Sequence, residues 1–136
     1  MPLGRLTRVQ ERAVRTWVTG KVVWDLGAGD LVLSNWLKSK ARARLVVAVE
    51  KCPPLHPSLD SGVILVAEYF HETDRMPDQP REVAFLSWPV NWDNEGLVEL
   101  LQTFPIVLYL GCNDGYMACG GQDLWRHLLT RRVMGF

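Results

Sequence analysis

The chain has 136 residues, and its 15 Lys+Arg balance 15 Asp+Glu to a formal net charge of +0 at pH 7. That length suits a single domain spanning 1–136, and 48% hydrophobic with 22% charged residues excludes a disordered or collagen-like chain. A neutral total sets up no global field for nucleic acid or an anionic membrane, so either partner would need a local patch.

Residues 6–18 read as an amphipathic helix within the N-terminal 1–20 segment. At about 100° per residue, Leu6, Val9, Ala13, Val14 and Trp17 share one broad face, and Gly20 closes the helix. Arg5, Arg8, Arg12 and Arg15 fall on the opposite stripe, which reads first as the wet face of the helix and second as a grip for nucleic-acid phosphates. Residues 21–25 are a β-branched and aromatic run that stops at a glycine turn, the signature of a strand followed by a loop. Helical spacing returns from residue 30 to about 43, with Leu33, Trp36 and Leu37 on one side and Lys38, Lys40, Arg42 and Arg44 toward the C-terminal end.

Residues 44–50, 62–68, 82–87 and 105–111 are near-continuous apolar runs, as in strands covered on both faces of a parallel sheet. A helix from about 94 to 103 carries Leu97, Leu100 and Leu101, and one from about 122 to 131 carries Leu124, Trp125, Leu128 and Leu129. Alternating strands and helices predict an α/β domain with a parallel sheet. Two crossovers lack helix-forming sequence, because Pro53, Pro54 and Pro57 interrupt one and Pro77 and Pro80 the other. Eleven extended residues still reach about 36 Å, enough to recross the sheet, so the flanking helices are expected to be reduced. No apolar run approaches the roughly 18 residues of a membrane span. The N-terminus has no h-region, and the scattered Cys52, Cys112 and Cys119 read as reduced thiols, so a cytoplasmic location is expected.

In an open parallel sheet, ligands sit beyond the carboxyl ends of the strands. Here those ends are residues 25–30, Glu50 with Lys51, Glu68 with Tyr69 and Phe70, Ser87 with Trp88 and Pro89, and residues 111–113. Gly27 and Gly29 permit a sharp turn and close backbone approach. Glu50, about 20 residues further on, is placed to accept hydrogen bonds from a ribose diol. Val32 is too large for the third small position of a dinucleotide fingerprint. Asp25 would repel a pyrophosphate and suit the ammonium and sulfonium of a methionine-derived ligand. Charge sign thus favours a cationic adenosyl cofactor over NAD.

The run Val22-Val-Trp-Asp25-Leu-Gly-Ala-Gly29-Asp30 resembles motif I of the class I S-adenosylmethionine-dependent methyltransferases, with similarity extending through Glu50, Glu68-Tyr69 and Ser87-Trp-Pro89. That resemblance implies a three-layer Rossmann-like sandwich with a mainly parallel sheet of order 3-2-1-4-5. It places Asp25, Gly27, Ala28 and Gly29 at the methionine part of the cofactor and Glu50 on the ribose. Lys51 and Cys52 then flank the adenine, Glu68 or the Tyr69 backbone meets its amino group, and Ser87 lies beside the methyl group. Leu31 stands where the family frequently has a third glycine, and its sixth and seventh strands are expected to be missing or vestigial. The product would be S-adenosylhomocysteine.

The fourth strand end, Ser87-Trp-Pro89, is loosely similar to the motif of amino-methyltransferases, in which a polar residue and a carbonyl orient the target amine. Ser87, Trp88 and Pro89 are therefore the catalytic candidates, with Trp88 or Trp92 as a stacking face or, more plainly, a cap on the core. Cys112, Cys119 and His127 match no familiar zinc spacing, and His56 and His71 lie in loops without an evident partner, so no metal is expected. Two other functions remain open on sequence: a non-catalytic module that holds S-adenosylmethionine or its product as part of an oligomer or larger complex, and an NAD-dependent oxidoreductase. The methyl acceptor, a small molecule or a partner-presented nucleic acid or protein, is not identified.

Overall fold

A computed structural model describes residues 6–89, 94–111 and 121–129. Helix α1 (Arg8–Val18) leads into strand β1 (Val22–Leu26), followed by α2 (Val32–Ser39), β2 (Leu45–Val49), β3 (Val63–Val66), β4 (Val83–Ser87), α3 (Leu97–Leu101), β5 (Ile106–Leu110) and α4 (Gly121–Leu129). A single 3-10 turn, Thr73–Arg75, interrupts the link from β3 to β4. The five strands form one sheet in the order β3-β2-β1-β4-β5, and every pairing is parallel.

Side chains alternate across each strand, so the two faces of the sheet found separate cores. On one face Val23, Val46, Ala48, Val63, Val83 and Phe85 pack under Val14 and Val18 of α1 and Leu37 of α2. On the other, Val22, Trp24, Leu26, Val47, Ala84 and Leu86 pack under Leu97, Leu100 and Leu101 of α3 and Leu124 and Leu128 of α4. Helices thus cover both faces of the parallel sheet, an α/β arrangement of three layers. Trp24 anchors the second core: its ring meets Phe104 edge-on at 5.8 Å, and its indole N–H donates to the Pro80 carbonyl at 3.0 Å.

The first three helices are shorter than their periodicity suggests. α1 starts at a capping box, in which Thr7 Oγ1 accepts from the Gln10 N–H and Gln10 Oε1 accepts from the Thr7 N–H. Its buried positions are Val14 and Val18, while Val9 is 65% exposed. Five residues at about 100° each set Val9 about 140° from Val14, off the buried arc. α2 ends at Ser39 rather than near 43, because Arg42 takes a left-handed φ of 60° and turns the chain into β2. α3 begins at Leu97, after Gly96 with φ 82°, instead of at 94. β3 stops at Val66, two residues before the expected Glu68.

The link from β2 to β3 contains no helix, as its prolines require, and α2 holds it instead. The Asn35 amide donates to the Ser58 carbonyl at 2.7 Å and accepts from the Asp60 N–H at 2.9 Å. At the amino ends of the strands, Glu82 Oε1 accepts from the Val22 N–H at 2.7 Å and pairs with Arg44 at 3.3 Å. No helix among the described residues is long and apolar enough to cross a membrane.

Candidate functional site

The order β3-β2-β1-β4-β5 reverses between β1 and β4, so the carboxyl end of β1 lies at the switch of chain direction where parallel sheets open a crevice. The chain there runs from Asp25 through Gly27, Ala28 and Gly29 to α2. Gly27 and Gly29 both have positive φ, 79° and 61°, which glycine adopts without strain. The space a Cβ would enter differs between them. At Gly29 it is open, whereas at Gly27 it would meet the Phe70 ring at 3.8 Å. Phe70, from the β3 end, therefore lies against the loop.

The N–H groups of the loop are turned onto the protein itself. Gly27 and Ala28 both donate to the Val49 carbonyl, at 2.8 and 3.1 Å, and Leu31 donates to the Ala28 carbonyl. Gly29 donates to Glu50 Oε1 at 2.8 Å, while Glu50 Oε2 accepts from the Cys52 N–H at 3.0 Å. Glu50 thus ties the glycine loop to the end of β2, and each of its oxygens retains a further lone pair for a hydroxyl. Asp30 Oδ1 accepts from the Val32 N–H at 3.1 Å, which seats a carboxylate on the first turn of α2. Leu31 is fully buried with φ 72°, a left-handed conformation that costs a leucine about 1–2 kcal/mol.

Asp25 is wholly buried between its sheet neighbours Ala48 and Phe85. Ser34, also wholly buried on α2, donates from Oγ to Asp25 Oδ2 at 2.6 Å. Oδ1 has no hydrogen-bond partner among the described residues. Burial pushes the carboxyl up to about 7, with the nearby charges of Glu50 and Asp30 adding to the rise and the Ser34 hydrogen bond opposing it. This alters the sequence argument: near neutral pH, Asp25 is a buried, half-protonated group rather than an exposed anion. Ser34 was not foreseen. Its only signal is a small polar residue set among Leu33, Trp36 and Leu37.

The remaining candidates divide into two groups. Lys51 Nζ lies 5.8 Å from the Tyr69 ring, and Tyr69 stacks on His71 at 5.6 Å, so the β2 and β3 ends meet. His71 also stands 3.6 Å from Glu95, which corrects the expectation that it has no partner. Glu68 faces Arg75 at 3.9 Å, and Cys52 is exposed. Ser87, Trp88 and Pro89 are half-buried at the β4 end, where the Trp88 N–H donates to the Leu110 carbonyl at 2.7 Å. Trp88 has φ 49°, and its buried indole N–H finds no acceptor among the described residues. No hydrogen bond among the described residues joins Ser87 or Trp88 to the β1 loop. Arg8, Arg12 and Arg15 are exposed on α1. Arg5, Val90, Trp92, Cys112 and Cys119 lie outside the described residues, so the zinc set and the second stacking tryptophan are not placed. No group of three or more His, Cys, Asp or Glu side chains is positioned to hold a metal among the described residues.

Comparison of the chain with protein-family models, with curated proteins and with solved structures finds no match in any of the three. The reading of the site rests on the chain itself.

Proposed function

We propose that the chain is a Rossmann-like S-adenosylmethionine-binding domain acting as a methyltransferase on an acceptor of unidentified class. The observation that carries this reading is Asp25: a buried carboxyl at the glycine loop, with one oxygen satisfied by Ser34 and the other without a partner among the described residues. A ligand ammonium supplies both the charge and the donor that Oδ1 lacks, and offsets the cost of ionising a buried acid. Glu50, already gripping the loop at the end of β2, has lone pairs left for the ribose hydroxyls. Gly29, with open space at its Cβ position, lets a ligand lie directly on the backbone.

When bound, the cofactor supplies an electrophilic methyl group on a sulfonium. The protein's own part is to hold, align and exclude water, which suffices for transfer to a well-placed nucleophile. In this reading Lys51 and Tyr69 border the adenine, with Glu68 near its amino group and Ser87 and Trp88 facing the acceptor. The NAD reading fits less well. The Gly27, Ala28 and Gly29 N–H groups are spent on protein acceptors, and Asp30 holds the helix start where a pyrophosphate would need to sit.

Thermal unfolding with S-adenosylmethionine, S-adenosylhomocysteine or NAD tests the cofactor assignment. A ligand at 100 times its dissociation constant adds about 2.7 kcal/mol of stability. Stabilisation by the adenosyl compounds but not NAD is expected, and the reverse would overturn the assignment. Labelled methyl transfer to a panel of acceptors then separates an enzyme from a module that only binds.

A further inference from the structure

The charges of this chain are unevenly divided. Residues 1–44 hold nine Lys and Arg against three Asp and Glu, and residues 45–136 hold six against twelve, so the neutral total conceals halves of +6 and −6. The fold gathers part of the positive half onto one face. Arg8, Arg12 and Arg15, all exposed, form an open surface on the outside of α1 together with Glu11 and Thr16. Beyond the helix end, Thr19 Oγ1 donates to the Ala41 carbonyl and the Gly20 N–H to the Arg42 carbonyl. These bonds bring exposed Lys40 and Arg42 beside the same helix.

Among the described residues, these cations are also without a carboxylate partner. Arg44, Arg75 and Arg126 each have a carboxylate within 4 Å, but none of Arg8, Arg12, Arg15, Lys40 and Arg42 does among the described residues. Arg15 is steadied instead by the Trp36 ring, 5.8 Å from its guanidinium carbon. Spacings of four and three residues keep the three arginines on one stripe about 10 Å long. Three arginines along that length can each neutralise one phosphate of a nucleic-acid strand, whose charges recur about every 3.4 Å of duplex axis. Every cation of the stripe is arginine, whose planar fork pairs with phosphate oxygens two bonds at a time.

We propose that this face of α1 is a docking surface for the phosphate backbone of a nucleic-acid strand. A lipid headgroup layer offers phosphate too, but a helix that lies in a membrane needs an apolar face to insert. Here Leu6, Val14 and Val18 are committed to the core, which leaves Val9 as the exposed apolar residue of the helix. The surface stands apart from the cofactor site and requires nothing of its assignment.

Fluorescence anisotropy of a labelled single-stranded RNA 20-mer tests the surface. With about three phosphates engaged, log affinity should fall with log salt at a slope of about −2, or about 20-fold between 50 and 200 mM. The triple variant Arg8→Gln, Arg12→Gln, Arg15→Gln should lose at least about tenfold in affinity at 50 mM salt and flatten that slope, while Arg126→Gln on α4 binds as the original chain does. Melting curves of the variants establish that each is folded, and the salt slope of the unaltered chain tests the surface without any variant. Absence of RNA binding at 50 mM salt, a slope near zero, or a folded triple variant that binds normally would each overturn the proposal. So would stronger binding to phosphatidylserine vesicles than to RNA at equal phosphate.

Discussion

The carboxyl ends of β1 and β4 lie side by side in the sheet yet are built in opposite ways. At β1 the chain is closed on itself: Val49, Glu50, Asp30 and Ser34 satisfy the loop and the buried carboxyl, and one oxygen of Asp25 is left over. At β4 the backbone is bent into a left-handed tryptophan whose indole N–H is buried and unmet among the described residues. A satisfied frame with one unmet acceptor specifies a particular donor. A bent strand end with an unmet donor specifies much less. The β1 end therefore carries the cofactor proposal, and the β4 end supplies only candidates for the acceptor side.

The comparison can be broken most forcefully at Asp25. Its carboxyl titrates at about 7 in the fold against an ordinary 3.8, so between those values the native chain holds a proton that the unfolded chain has lost. Its contribution to stability accordingly falls as pH rises through that window. Asp25→Asn should be the more stable chain at pH 8, by at most about 4 kcal/mol, with the difference closing near pH 4. Urea denaturation at the two pH values checks this, and equal stability at both would show that the carboxyl bears no burial cost.

Next in size is a pair of tryptophans. Trp24→Phe shrinks a fully buried side chain and removes its hydrogen bond to the Pro80 carbonyl, which should cost about 2–4 kcal/mol. Trp88→Phe removes an N–H that has no acceptor among the described residues, so the gain offsets the lost volume and stability should stay within about 1 kcal/mol. Similar losses at both sites would erase the distinction between the two strand ends. Ser34→Ala removes the one donor to Asp25 among the described residues, and should lower stability at pH 8 by about 1–3 kcal/mol in chemical unfolding.

A small stability change is also expected from Gly29→Ala. Its Cβ meets nothing, so only the left-handed φ is penalised, at about 1 kcal/mol. That Cβ would nevertheless stand where the ligand is proposed to lie, and affinity for S-adenosylhomocysteine should drop tenfold or more in calorimetry. Unchanged affinity would move the ligand off the loop.

Much of the fold was legible in the sequence because continuous apolar runs mark doubly covered strands, and all five expected runs are strands of one parallel sheet. The ends of elements were not, since they depend on single dihedral angles. Arg42 at φ 60° shortens α2, and no feature of its side chain announces it. The site was legible where backbone chemistry leaves a mark, as glycine does at Gly27 and Gly29, and an acid after a strand does at Glu50. It was illegible where a contact joins elements through one side chain: Ser34 beneath α2, Phe70 against Gly27, or His71 between Tyr69 and Glu95. Such pairings are fixed by packing in three dimensions and leave no period along the chain.

Proton release on binding tests the central claim most directly. Titration calorimetry with S-adenosylhomocysteine at pH 7, repeated in buffers of different ionisation enthalpy, counts the protons exchanged. A ligand ammonium against Asp25 should expel the proton that burial lets it keep, a fraction of an equivalent at that pH, and Asp25→Asn should show none. A folded chain that gives no binding heat, or that binds with no proton released, would contradict the account.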